Sequence, residues 1–427
     1  MFILLLAGAF AGFYFFVLNP TNKEVNTPIE LTPTPDQIFP ENPISESPTQ
    51  VAPSPETPLA TPTIIVDSET GPAGSEGLPT GEVVVDSIGT VRKISESPVA
   101  GATSFYDSKR KLEVIRFIEK ERGNLFDAQT ENTVLDRISI DTIPRIQEAF
   151  FTNNGSGVVL RYLKDLNTIE TYGGALLLSK ASTSKGFYEL EGSFFPQNIT
   201  DVTPIPGSGK VFYLLPTTQE VVGYLSGTAG DKRSAVFSSP VKEWLPISID
   251  TQTILLTTKP SATVAGVSYL LNTQTGRKEK ILSNINGLTT LVSPDKKYAL
   301  YSTSSNGGVS SKVLEIKTGE VFDIEIKTLP EKCVWSTKKG EHVVFCGVPE
   351  SLPVRSYPDY WYMGLVSFSD ALWKYDIDTT INELIAAPGK FPKEGVDVTR
   401  PFTTTANDYL LFTNKKDLSL WSVRVSE

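Results

Sequence analysis

The segment 287–324, GLTTLVSPDKKYALYSTSSNGGVSSKVLEIKTGEVFDI, constrains the fold of this chain more than any other stretch. It divides into four short runs rich in β-branched and aromatic residues, at 287–292, 298–303, 311–316 and 320–324. Turn formers separate them: Pro294-Asp295, Asn306-Gly307-Gly308 and Thr318-Gly319. Such residues supply the backbone angles that a tight reversal needs. Four antiparallel strands in about 40 residues make one blade of a β-propeller.

The unit recurs. The fragment TVRKIS at 90–95 is echoed by TVLDRIS at 133–139, and a proline and an apolar run follow each, Pro98 and then Pro144. First strands of successive units start near Val99, Ile146, Ile199, Glu243, Gly287, Glu331 and Val396, mostly about 44–53 residues apart. This spacing predicts an all-β, seven-bladed propeller over 90–427, with six or eight blades as the alternatives. The last unit has only three runs, at 396–402, 409–413 and 418–425. Strand 90–95 is expected to pair with this C-terminal blade, closing the ring and removing an open sheet edge. Segment 107–122 is ambiguous between the helical and strand periods. Val114, Ile115, Phe117 and Ile118, followed by Gly123-Asn124, favour a two-faced buried strand.

Ahead of the repeats the chain is of a different material. Residues 2–18, FILLLAGAFAGFYFFVL, are 17 uncharged and mostly apolar residues, at the short end of what spans a bilayer as a helix. A transmembrane anchor is the preferred reading, with a cleaved signal peptide as the rival. Residues 19–89 form a Pro-rich acidic linker, with thirteen prolines between positions 19 and 81. Proline at this density removes donors and favours polyproline II, and too few apolar residues remain to offset the entropy of ordering. Fully extended, such a linker reaches about 200 Å. On a short N-terminus and an acidic C-terminal flank, the propeller is expected outside the cytoplasm and the chain is expected to be a single-pass protein of the cell membrane.

Charge argues in the same direction. Of the net −10, all falls on 19–90, which holds eleven acidic residues and the single basic residue Lys23, while 91–427 carries 38 of each sign. No basic excess is available to release counterions from a phosphate backbone, so no nucleic-acid partner is expected.

The phrase at 292–301, VSPDKKYALY, resembles the SPDG-type repeat of WD-like bacterial propellers such as that of the Tol-Pal envelope system, with Lys296 in place of the usual glycine. In its layout of one apolar segment, a Pro-rich tether and repeats, the chain also resembles a group of uncharacterised bacterial membrane-anchored WD-like propeller proteins. The resemblance implies an envelope location and carries no activity or binding residues.

The sixth unit is exceptional. It contains both cysteines, Cys333 and Cys346. A hairpin around 338–340 sets residues whose numbers sum to 679 opposite one another, and this pair does so. Directly opposed residues lie about 4.5–5.5 Å apart at Cα, which suits a disulfide; two buried free thiols are the alternative. The same unit carries an insertion at 347–370, GVPESLPVRSYPDYWYMGLVSFSD. It gathers Arg355, Tyr357, Tyr360, Trp361, Tyr362 and Phe368, residue types that anchor binding surfaces. Placed between the second and third strands of its blade, it belongs on one face of the disc. There it is either a contact surface or a lid whose rings plug the central channel.

Catalytic patterns are missing. His342 is the only histidine and falls where a strand is expected. There is no G-x-S-x-G elbow, no phosphate loop and no metal-ligand spacing, so no cofactor and no metal are expected. Gly173-Gly174, Gly207-Ser208-Gly209 and Gly307-Gly308 are expected in turns. The sequence therefore points to a membrane-tethered extracytoplasmic binding or scaffold module of the cell envelope, with an envelope protein or glycan as partner. The rival is a carbohydrate-active hydrolase or lyase using a carboxylate pair, which the sequence does not single out.

Overall fold

The computed structural model describes residues 87–426, apart from 131, 133, 140–142, 166–167 and 181–185. The expected anchor at 2–18 and the linker up to residue 86 lie outside the described residues. No helix among the described residues is long and apolar enough to cross a membrane.

Strand-forming runs alternate with turn residues throughout, and each set of four runs closes on itself as an antiparallel meander. The chain opens with β1 (Val91–Ser95). Blade 1 is β2 (Val99–Asp107), β3 (Leu112–Glu119), β4 (Leu125–Gln129) and β5 (Leu135–Arg137). Blade 2 is β6 (Ile146–Thr152), β7 (Gly157–Leu163), β8 (Ile169–Leu178) and β9 (Tyr188–Phe194). Blade 3 is β10 (Asp201–Pro204), β11 (Lys210–Pro216), β12 (Val221–Gly227) and β13 (Ser234–Ser239). Blade 4 is β14 (Trp244–Ser248), β15 (Thr253–Thr258), β16 (Ala265–Asn272) and β17 (Lys278–Asn286). Blade 5 is β18 (Thr289–Val292), β19 (Tyr298–Ser305), β20 (Gly308–Glu315) and β21 (Val321–Asp323). Blade 6 is β22 (Cys333–Trp335), β23 (Val343–Pro349), β24 (Asp370–Asp376) and β25 (Asn382–Ala386). Blade 7 is β26 (Val398–Thr403), β27 (Tyr409–Asn414) and β28 (Leu420–Arg424). Its fourth strand is β1, so the sheet order is β1-β28-β27-β26. Seven four-stranded sheets result, and segment 107–122 contains strand β3, not a helix.

Second strands are the most buried, as β27 shows with all six residues inside. They carry the apolar residues that pack blade against blade. Phe212, Leu214 and Trp244 join blades 3 and 4, and Val343, Phe345, Leu372, Leu410 and Phe412 join blades 6 and 7. Val99, Ile115, Phe117, Tyr409, Leu411 and Leu420 join blade 1 to blade 7 and so complete the ring. First strands crowd around the axis. At Gly101 in β2 an added Cβ would stand 1.9 Å from the Ala149 carbonyl oxygen of β6, so only glycine allows this approach.

Two sequence expectations are corrected. Gly173-Gly174 lie inside β8, not in a turn; a Cβ on Gly174 would meet the Glu191 carbonyl oxygen of β9 at 2.0 Å, so these glycines serve close strand contact. His342 stands just before β23 and not within a strand. Gly207-Ser208-Gly209 lie between β10 and β11 as expected, and Gly307 lies in the turn between β19 and β20, with Gly308 opening β20.

Candidate functional site

The first strands of all seven blades line an axial cavity of about 900 Å³. Its wall is mainly apolar, with Phe150, Leu245, Ile247, Leu291 and Phe402 among the lining residues. First strands start, and second strands end, on one face of the disc. The loop joining β23 to β24 leaves the disc on this face, so the insertion lies beside this mouth of the channel. Trp361 and Tyr362 from the insertion line the cavity with Glu331, Lys259, Arg400 and Lys415.

Within the insertion, Asp359–Tyr362 forms a single helical turn, α1. Blades 4, 5 and 7 hold the segment together with its own blade 6. Asp359 Oδ2 accepts from the Ala262 amide at 2.7 Å in blade 4. The Arg355 amide donates to the Gly307 carbonyl at 2.9 Å in blade 5. The strongest anchor is a fully buried ion cluster at the junction of blades 6 and 7. Lys332 Nζ lies 2.7 Å from Asp370 Oδ2 and 2.5 Å from Asp397 Oδ1, and all three side chains are 0% exposed. Asp397 also accepts from Trp361 Nε1 at 3.1 Å, from Ser367 Oγ at 3.2 Å and from the Phe368 amide at 3.1 Å. Asp370 Oδ2 accepts from the Val398 amide at 2.7 Å, while its Oδ1 is buried without a partner. Burial raises the Asp370 carboxyl to about 6 against the attraction of Lys332.

The structure therefore brings all six residues singled out in the insertion into one segment, but turns half of them inward. Tyr357, Trp361 and Phe368 are buried with Val309 and Leu329 in a small core of their own. Tyr360 and Tyr362 are half-buried, and Arg355 is exposed. Tyr362 donates its hydroxyl to Glu331 Oε1. The aromatic insertion is thus mostly a packed cap, and Val354, Met363 and Leu365 are its large solvent-facing apolar residues, at 72%, 61% and 65% exposure. Beneath it, Cys333 and Cys346 are direct partners in the β22–β23 ladder, with their sulfurs 2.12 Å apart.

Charges around the mouth are mostly paired. Glu148 takes Arg161 at 2.5 Å and Arg400 at 2.6 Å. Arg400 reaches this position from a bulge in β26, where its φ is +49°. Lys259 meets Glu243 at 3.1 Å. Burial pushes the nearby Asp201 carboxyl up to about 7, with Arg161 opposing the shift. Lys415 is the exception. Its Nζ stands 5.1 Å from the centre of the Trp361 ring, and no carboxylate of the described residues lies within ion-pair distance of it. Burial lowers its pKa against the pull of Asp397, and the neighbouring Lys332 lowers it further. Glu331, Lys332, Asp370, Asp397, Arg400 and Lys415 carry no sequence motif, because the residues that meet are tens to hundreds of positions apart in the chain, as with Lys332 and Asp397 or Arg400 and Glu148.

No protein-family model matches the sequence, and no curated protein does either. Solved structures with a similar fold include oligogalacturonate lyase from Vibrio parahaemolyticus, at 12% identity over 80% of this chain and 99% of that one, with a TM-score of 0.47. The β-propeller domain of the Trilobed protease from Pyrococcus furiosus is 12% identical over 78% and 98%, with a TM-score of 0.46. TolB from Acinetobacter baumannii is 11% identical over 76% and 78%, with a TM-score of 0.39. These are likenesses of architecture, to TolB and other β-propeller proteins.

Proposed function

We propose that this chain is a non-catalytic binding module of the cell envelope, tethered to the membrane through residues 2–18 and the Pro-rich segment, with the capped propeller face turned to a protein partner. One observation carries the reading. The insertion is fixed to the disc by a buried ion cluster and a core of its own, yet leaves Val354, Met363 and Leu365 in solvent. A rigid platform with protruding apolar side chains meets a partner at little ordering cost. Arg355, exposed beside Val354, adds a charged anchor at the rim. The Cys333–Cys346 pairing is consistent with an oxidising compartment.

The test is crosslinking in intact cells, purification of the full chain through a C-terminal tag, and mass spectrometry. Crosslinks are expected to map to 350–369. The double variant Met363→Asp, Leu365→Asp is expected to melt like the wild type and to recover its partner about tenfold less. Undiminished recovery by this variant would remove the insertion from the contact.

A further inference from the structure

Among the described residues, Lys415 is the one mouth cation that lacks a carboxylate partner within ion-pair distance, its ammonium resting instead over the Trp361 ring. Arg161 and Arg400 share Glu148, and Lys259 has Glu243. A half-buried ammonium without a counter-ion is an unfavourable arrangement that an anion relieves. The amine faces the same cavity as the apolar ring formed by Phe150, Leu245, Ile247, Leu291 and Phe402. The polar groups next to it are committed elsewhere. The Trp361 indole N–H is held by Asp397, so the ring offers only its face, and the Tyr362 hydroxyl is held by Glu331. Glu331 is likewise turned into the protein, where the Tyr362 hydroxyl and Thr289 face its carboxylate. A concave, mainly apolar volume of this size with a charged group at its mouth is the form that small-molecule sites take.

We propose that the axial cavity binds a small monocarboxylate, whose charge is taken by Lys415 and whose apolar body lies against the channel wall. A single unpaired cation selects one negative charge; a phosphate dianion would leave a charge uncompensated in a partly desolvated site. This inference is independent of the outer contact proposed above, because the cavity and the exposed side chains of the insertion are different surfaces of the same cap.

The experiment titrates the purified full chain by calorimetry with two probes of the same shape, 1-naphthaleneacetate and the neutral 2-(1-naphthyl)ethanol. The acid is expected to bind about tenfold more tightly than the alcohol, the size of one charge-assisted contact. Lys415→Met should erase that preference without changing the melting temperature, and Lys280→Met, on an exposed outer strand, should keep it. A readout on the wild type guards against a misfolded variant: an amine-reactive acylating reagent, mapped by mass spectrometry, should label Lys415 more slowly when 1-naphthaleneacetate is present. The proposal is overturned if the acid fails to bind, if both probes bind equally, if the preference survives in a folded Lys415→Met variant, or if Lys415 labelling is indifferent to the acid.

Discussion

At the scale of single residues, the face opposite the cap is governed by His342. Its Nε2 lies 2.9 Å from Asp295 Oδ2 and its Nδ1 2.5 Å from Asp378 Oδ2. Tyr298 stacks edge-on at 5.0 Å and also donates to Asp378 at 3.2 Å, where Lys297 adds a contact at 3.5 Å. Burial alone would lower the imidazole pKa, but the two carboxylates outweigh it and raise it above 6.5. For Asp295, burial is outweighed by bonds from Ser293, His342 and the Lys297 amide, and its pKa falls to about 2. A raised histidine adds stability that is complete below pH 6.5 and is lost as pH rises through the folded value. A depressed aspartate adds stability that is complete above 3.8 and is lost as pH falls through about 2. The clamp is therefore fullest between those limits. His342→Gln is expected to lower the melting temperature at pH 5, and the gap from wild type should shrink as pH rises through the folded value of the imidazole and in high salt, since both carboxylates are partly exposed. A gap independent of pH would show that packing against Tyr298, not charge, is what the ring contributes. Next to Asp295 of this clamp, Lys296 sits at φ +62°, the turn position where glycine is usual, and its Nζ reaches Asp250 of the neighbouring blade 4 at 2.5 Å. This half-exposed cross-blade ion pair, worth about 0–1 kcal/mol, offsets part of the backbone strain of about 1–2 kcal/mol at a contact glycine could not make.

At the scale of the element, the insertion is secured less by its length of contact than by Asp397. Removal of that carboxylate strands Trp361 Nε1, Ser367 Oγ and the Phe368 amide, and leaves Lys332 with only one counter-ion inside the protein. Breaking a buried ion cluster from one side costs about 3–5 kcal/mol. Asp397→Ala is expected to lower unfolding free energy by that amount in urea titrations and to make 350–369 cleavable by a protease under native conditions. Asp359→Ala, which loses the single bond to Ala262, should cost about 1 kcal/mol and leave the segment resistant. Equal resistance of both variants would mean that Tyr357, Trp361 and Phe368 suffice to hold the cap. This element also marks where sequence reading stops. Its position between β23 and β24, and the alignment of Cys333 with Cys346, follow from turn residues and hairpin arithmetic, which are local. The direction of its rings does not, because it is decided by Asp397, Lys332 and Val309, which lie far off along the chain. The same aromatic composition suits an exposed surface and an inward plug, and only the partners distinguish them.

At the scale of the whole molecule, the question is what keeps a ring of seven similar sheets from opening. Each blade is a local meander, so blade order and strand order were legible from turn spacing alone, with strand ends off by about one to three residues where turns are ragged. Closure is the one non-local step, and it joins residues over three hundred positions apart. Strand β1 adds to β28 with Val91 opposite Val423, Arg92 opposite Ser422 and Lys93 opposite Trp421. The Lys93 ammonium lies 5.8 Å from the Trp421 ring and the Arg92 guanidinium 5.9 Å from the Tyr409 ring, so the closing strand also shields the last blade's aromatics. Without β1, the backbone of Leu420–Arg424 would face solvent as an unpaired edge whose first four residues are apolar or buried in the ring. A chain beginning at Ser97 is therefore expected to melt at lower temperature and to form concentration-dependent oligomers by edge pairing, seen in size-exclusion chromatography with light scattering. A synthetic peptide covering 87–97 should restore the monomer and the melting temperature by occupying the vacant edge, because the missing strand needs no covalent link to make its hydrogen bonds. A truncated chain that stays monomeric and melts like the full chain would show that the contact of Val99, Ile115 and Phe117 with Tyr409, Leu411 and Leu420 closes the ring on its own.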